Sequence, residues 1–104
     1  PYIMADKVDL STSKIRGKKY TAIIYKGDDK IKTVHFGQFG ASDFTKHKNE
    51  ERKQRYIDRH RDNENWSKAG ITSAGFWSRW LLWNKPTIQA SKSDIESRFN
   101  VKIN

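Results

Sequence analysis

The chain has 104 residues, of which 35% are hydrophobic and 32% charged, and this length predicts one domain with a thin core. It contains no cysteine, which excludes a disulfide framework, thiol catalysis and cysteine-based metal sites. Lys and Arg number 21 against 12 Asp and Glu, so the net charge is +9, which favours polyanionic partners such as nucleic acid, acidic protein surfaces or anionic lipid.

The first elements predicted are an arm and a hairpin. Residues 1–17 show little periodicity and are expected to form an N-terminal arm that orders against a partner. Residues 18–104 are expected to form a single small domain. It begins with a β-hairpin over Lys19–Phe36, because aromatic and β-branched residues flank a turn at Gly27. Gly37 and Gly40 end the hairpin.

A long polar helix is predicted over residues 42–65. Ser42 or Asp43 can cap its start, and neither Pro nor Gly interrupts it. Its apolar residues are few, so it is expected to bury only a narrow seam on the outside of the domain, with a break near Lys48.

The C-terminal third is predicted to hold a short Trp-rich helix over Ala74–Asn84, ended by Pro86. The segment Thr87–Gln89 is expected to be extended, and Ser93–Glu96 is a capping-box pattern that begins a last short helix with Ile95 and Phe99 inward. These elements together predict an α+β fold. The apolar runs are far shorter than the ~20 residues that span a bilayer, so no transmembrane segment is expected.

The Trp-rich helix is apolar on nearly every side, which leaves two interpretations. It is a core helix, or one side stays exposed as an anchor for a partner, since Trp and Arg are enriched at binding hot spots. A helix lying on a membrane surface is a third and weaker option. The residues expected to bind the partner are Phe76, Trp77, Arg79, Trp80 and Trp83.

The polar helix carries a cluster of cations that could bind phosphate groups, with Tyr56 stacking on a base. The residues expected to bind a polyanion are Lys46, Lys48, Arg52, Lys53, Arg55, Tyr56, Arg59 and Arg61. Several acidic residues lie in the same segment. A solvated helix laced with ion pairs is therefore the alternative, and the positive charge of the whole chain could serve solubility alone.

Catalytic chemistry is poorly supported by the sequence. The three histidines, His35, His47 and His60, form no recognised set of metal ligands, and no nucleophile stands beside a credible base. A nuclease that uses His60 with neighbouring acids is kept only as a third hypothesis. We therefore expect no enzyme, no metal and no cofactor.

Several blocks of the chain from Lys18 to about Ile88 carry a family resemblance. They are Lys18–Tyr20, Val34–Gly37, Ser42–Lys48, Arg52–His60, Glu64–Trp66 and, most distinctively, Thr72–Pro86. In these blocks the chain resembles small proteins encoded by large nucleocytoplasmic DNA viruses, including chlorella-virus and mimivirus relatives. Phe44 departs from the Tyr expected there. The resemblance implies a viral setting but no defined activity.

Such a setting leads to the first functional expectation, a non-enzymatic virion structural protein that serves as a minor capsid or cement component. It would contact viral capsid proteins through the aromatic helix and the arm, within the virion or the infected host cell cytoplasm. The alternative is a basic nucleic-acid-binding module in viral replication, transcription or genome packing. An anionic membrane surface is a further candidate partner.

Overall fold

A four-stranded sheet organises the protein, whose computed structural model describes residues 5–104. The strands are β1 (Lys7–Thr12), β2 (Lys18–Lys26), β3 (Asp29–Gln38) and β4 (Lys102–Ile103), in the spatial order β3-β2-β1-β4. β2 pairs antiparallel with β1 and β3, and β4 lies parallel to β1. The sheet therefore joins the two ends of the described chain.

The predicted hairpin is confirmed as β2 and β3. Ala22 lies opposite Val34 and Tyr20 opposite Phe36, so the alternating apolar residues of both strands share one face. Gly27 takes a φ of 59° in the tight turn, where a side chain would be strained. The shared apolar face is the sheet's side of the hydrophobic core.

The prediction of an N-terminal arm is wrong for the residues that the structure describes. Lys7–Thr12 form β1, with Val8 opposite Ile24 and Leu10 opposite Ala22, and Ala5 and Val8 belong to the core. Two apolar residues in alternation are too weak a pattern to predict a strand, and pairing with β2 provides the rest. Residues 1–4 of the predicted arm lie outside the described part.

The predicted polar helix is two helices, α1 (Phe44–His47) and α2 (Glu50–His60). Asp43 caps α1, and Lys48 takes a left-handed conformation with φ 55°, which confirms the expected break. Asn49 caps α2 by accepting a hydrogen bond from the Arg52 N–H. Beyond His60 the chain passes into short 3₁₀ turns at residues 61–63 and 68–70, so α2 ends before the predicted boundary.

The predicted Trp-rich helix is confirmed as α3 (Ala74–Trp77), continued by a π-helical turn over Ser78–Leu82. The hydroxyl of Ser73 accepts a hydrogen bond from the Phe76 N–H and so caps α3. Below, the aromatic helix means residues 74–82.

The C-terminal helix starts earlier than predicted. α4 spans Ile88–Phe99, so the expected extended conformation is wrong for Ile88 and Gln89, and the capping box does not begin the helix. Thr87 is the N-cap, because its hydroxyl accepts a hydrogen bond from the Ala90 N–H at 3.1 Å. Ile95 is fully buried and Phe99 packs against the core, as expected.

One hydrophobic core connects sheet and helices, and the α+β class is confirmed. The Phe36 ring of β3 lies 6.0 Å from the Trp77 ring of the aromatic helix. Ile95 of α4 and Ile103 of β4 belong to the same core. Within residues 5–104 no helix has both the length and the apolar character needed to cross a bilayer.

Candidate polyanion-binding site

The aromatic helix lies inside the protein, which favours the core interpretation over an exposed anchor for a partner. Phe76 and Trp77 are fully buried, and Trp80 is buried with 9% of its surface exposed. The Trp77 indole N–H donates to the Ile71 carbonyl at 2.7 Å, and that of Trp80 donates to the Trp66 carbonyl at 2.9 Å. Rings whose polar atoms are satisfied internally belong to the core rather than to a docking face.

Arg79 and Trp83, the other predicted docking residues, also have partners within the chain. The Arg79 guanidinium lies 4.4 Å from the Trp80 ring centroid and donates to the Trp83 carbonyl at 2.7 Å. The half-buried Trp83 ring stacks on Tyr56, with centroids 4.5 Å apart and planes inclined by 1°. Trp83 therefore links α2 to the segment that follows the aromatic helix, and Arg79 binds that same segment.

Of the predicted polyanion-binding residues, Tyr56 is buried and Lys53 is partly buried, and both have partners within the chain. Tyr56 is buried, and burial raises its pKa to about 12. Lys53 Nζ donates to the Asn84 carbonyl at 3.0 Å and lies 4.6 Å from the Phe44 ring centroid. Tyr56 has no free face for a base, and Lys53 binds its own chain.

The remaining cations of the predicted set are exposed, and three of them share one side of α2. At about 100° per residue, Arg52, Arg55 and Arg59 fall within an arc of roughly 60°. We call these three residues the arginine stripe. All three are exposed, as are Lys46, Lys48 and Arg61.

Ion pairing within the helix, the alternative raised by the sequence, involves two of these cations. Arg55 lies 3.8 Å from Glu51 and Arg61 lies 3.4 Å from Asp58, and all four side chains are more than half exposed. Exposed pairs of this kind contribute about 0–1 kcal/mol. They leave both cations available to a stronger anion.

Asp43 lines both of the surface depressions near the start of α1, and it is the only acidic residue among their lining residues. Its negative charge is balanced by Lys19. It is 2% exposed and forms an ion pair with Lys19, which is 11% exposed and also donates to the Ala41 carbonyl. The second Asp43 oxygen accepts from the Thr45 N–H at 2.9 Å. This ion pair fixes the start of α1 against β2.

Two depressions meet at this ion pair. A cleft of about 530 Å³ is lined by Tyr20, Phe39, Ser42, Thr45 and Lys46 together with Lys19 and Asp43. A groove of about 310 Å³ on the other side is lined by Arg59, His60, Tyr56 and Trp83 and shares the residues Lys19 and Ala41–Asp43 with the cleft. Lys46 thus lies at the cleft and Arg59 at the groove, and both come from the predicted cation set.

Phe39 is a site residue that sequence reasoning missed. Its ring is 75% exposed beside the cleft, although large apolar side chains are usually inside. Its exposure could have been inferred from its position between Gly37 and Gly40, because a residue between two glycines after the end of a strand is not buried by a strand or a helix.

The three histidines lie apart from one another along the fold and contact neighbouring side chains. His35 Nδ1 lies 2.8 Å from the Thr21 hydroxyl, and the His60 ring lies 4.5 Å from Tyr56. Burial, reinforced by the Arg52 guanidinium, lowers the pKa of His47. Among residues 5–104 no group of three or more His, Asp or Glu could hold a metal ion.

Fold and site together define a small basic α+β domain with an arginine stripe beside a surface cleft. Residues 8–60, just over half of the chain, match a family of unknown function, DUF5754, and the chain belongs to that family. The cleft and the arginine stripe lie within the matched residues, and the aromatic helix lies beyond them. No curated protein and no solved structure matches the chain.

Proposed function

We propose that this protein is a non-enzymatic nucleic-acid-binding module that contacts phosphates through the arginine stripe and Lys46. The observation that carries the proposal is that three exposed arginines share one narrow face of α2, which leads into the groove through Arg59. The net charge of +9 supports it, because a cationic protein attracts a polyanion over distance.

The chemistry of the stripe suits phosphate. An arginine guanidinium presents several N–H donors in a planar fork that matches two phosphate oxygens at once. At 1.5 Å per residue, Arg52 and Arg59 are separated by about 10 Å along the helix axis. That distance equals about three nucleotide steps of 3.4 Å along one strand of a duplex.

The acidic residues near the stripe do not oppose this proposal strongly. Glu51 pairs with Arg55 within the stripe, and Asp58 pairs with Arg61 beside it, both at exposed positions. A phosphate that replaces such a carboxylate provides a comparable or stronger charge-assisted hydrogen bond. Asp43 is held by Lys19 and repels an incoming anion little.

The capsid or cement role, with its viral setting and location in the virion or host cytoplasm, stays a prediction. It rests on the viral resemblance, the N-terminal arm and the aromatic helix, and the burial of Phe76 and Trp77 takes the helix out of that argument. Mass spectrometry of purified virions would test it directly. Phosphate binding has the stronger support, because the cations that it needs are exposed.

The test is a triple substitution, Arg52→Ala with Arg55→Ala and Arg59→Ala, measured by fluorescence anisotropy with labelled oligonucleotides at fixed salt. We expect the affinity to fall at least about tenfold, since charge-assisted hydrogen bonds each contribute about 1.5–3 kcal/mol. The matched control is Lys26→Ala with Lys30→Ala and Lys32→Ala, which removes the same charge from exposed positions of the hairpin.

The control variant should bind within about threefold of the unchanged protein, because its lysines lie on other elements. If the two triple variants lose affinity equally, the binding reflects overall charge and the site is wrong. If the unchanged protein binds neither single strands nor duplexes at low salt, the function itself is wrong.

A further inference from the structure

The exposed Phe39 ring has no role in the fold. It is 75% exposed, and among residues 5–104 the other exposed large hydrophobic residue, Ile15, is 49% exposed. Phe39 is neither part of the hydrophobic core nor packed against it. Exposure of an aromatic ring to water is unfavourable, so a ligand that covers the Phe39 ring would gain free energy from burying apolar surface.

The backbone on either side of Phe39 is anchored to the domain. The Phe39 N–H donates to the Gly17 carbonyl at 2.9 Å, and the Ala41 N–H donates to the Gln38 carbonyl at 3.1 Å. Gly37 has a φ of 77°, and a Cβ there would approach Leu82 Cδ1 to 3.0 Å. The segment that carries Phe39 is thus packed closely against the domain.

The cleft beside the ring can hold a flat, polar-edged group. Its volume of about 530 Å³ falls in the range of about 300–1,000 Å³ that is typical of small-ligand sites. Tyr20, Ser42 and Thr45, which carry hydroxyl groups, are among its lining residues. Burial, and to a smaller extent the negative charge of Asp43, raises the pKa of Tyr20. Its hydroxyl therefore stays protonated and can act as a hydrogen-bond donor.

Positive charge lies in this cleft and in the adjoining groove. Lys46 lines the cleft itself, and the groove that continues past Lys19 is lined by Arg59 of the arginine stripe. An aromatic ring with nearby cations is the combination that single-strand-binding surfaces use, where bases stack on rings and the backbone follows the charges. A purely apolar protein segment would leave these charges without partners.

We infer that the cleft takes an unpaired nucleobase stacked on Phe39, with the adjoining phosphates on Lys46 and Arg59, so that the protein prefers single strands. This inference rests on the proposed nucleic-acid binding and specifies its substrate. In a duplex each base is paired and stacked on its neighbours, so it cannot reach the cleft. A duplex would engage the arginine stripe alone.

The test compares Phe39→Ala, Phe39→Trp and the control Ile15→Ala in titrations of a labelled single strand, its duplex and a mononucleotide. Base–aromatic stacking predicts that Phe39→Ala weakens single-strand binding by about 5- to 150-fold. Phe39→Trp should retain this binding, because indole also stacks, and Ile15→Ala should not change it. Duplex binding should be the same in all four proteins.

The outcomes separate the two proposals. If the unchanged protein binds nucleic acid but Phe39→Ala binds single strands equally well, the ring serves another partner, such as a protein, and only this inference is overturned. Binding of the mononucleotide as tightly as the strand would assign the cleft to free nucleotides and also overturn it. Absence of any nucleic-acid binding would overturn the proposed function as well.

Discussion

Replacing Asp43 with Ala is expected to lower the free energy of unfolding by about 3–5 kcal/mol. The substitution leaves the Lys19 ammonium, only 11% exposed, without its carboxylate, and it removes the N-cap of α1. Since small domains are stable by only about 5–15 kcal/mol, the variant should lose a large share of its stability. Urea denaturation followed by circular dichroism measures the change.

Asp43→Asn separates the two contributions, because Asn also caps helices but carries no charge. It should be more stable than Asp43→Ala by about 1 kcal/mol and still well below the unchanged protein. Asp28→Ala, in the exposed hairpin turn, is the control and should change stability by less than about 0.5 kcal/mol. A loss below about 1 kcal/mol in Asp43→Ala would show that the ion pair is not structural.

Trp77→Ala is expected to destabilise the domain by about 3–5 kcal/mol, the range for removal of a fully buried large aromatic ring. Trp77 has no exposed surface, lies 6.0 Å from Phe36 and 5.3 Å from Phe76 between ring centroids, and donates its indole N–H to the Ile71 carbonyl. The substitution leaves both a cavity and an unsatisfied carbonyl. Chemical denaturation of the isolated protein measures the loss.

Phe39→Ala provides the contrast, since it removes an aromatic ring that is 75% exposed. It should change the stability by no more than about 0.5 kcal/mol. If Trp77→Ala were as stable as the unchanged protein, the aromatic helix would lie on the surface, as the docking hypothesis requires.

Elements built from local patterns were predictable from the sequence. The hairpin follows from two apolar alternations around Gly27, and the break before α2 follows from the polar Lys48–Asn49 step. β4 was not predictable, because two residues, Lys102 and Ile103, form it only by pairing with the distant β1. The start of α4 was not predicted, because Thr87 and Ser93 are both suitable N-cap residues and the sequence pattern favoured Ser93.

The candidate site was predictable in part. The cations of α2 could be found by charge, and the stripe Arg52, Arg55 and Arg59 by helical spacing. Which face turns inward depends on tertiary packing, so the contacts that bury Tyr56 and partly bury Lys53 were not predictable. The ion pair between Lys19 and Asp43 could not be predicted from local sequence patterns, because the two residues are 24 positions apart.

The salt dependence of nucleic-acid affinity tests the central claim most directly. If Lys46 and the arginine stripe neutralise four phosphates of a single strand, the logarithm of the association constant should fall with the logarithm of salt concentration with a slope of about −3. The triple stripe variant should show a slope of about −1. A slope near zero for the unchanged protein would contradict phosphate recognition by this surface.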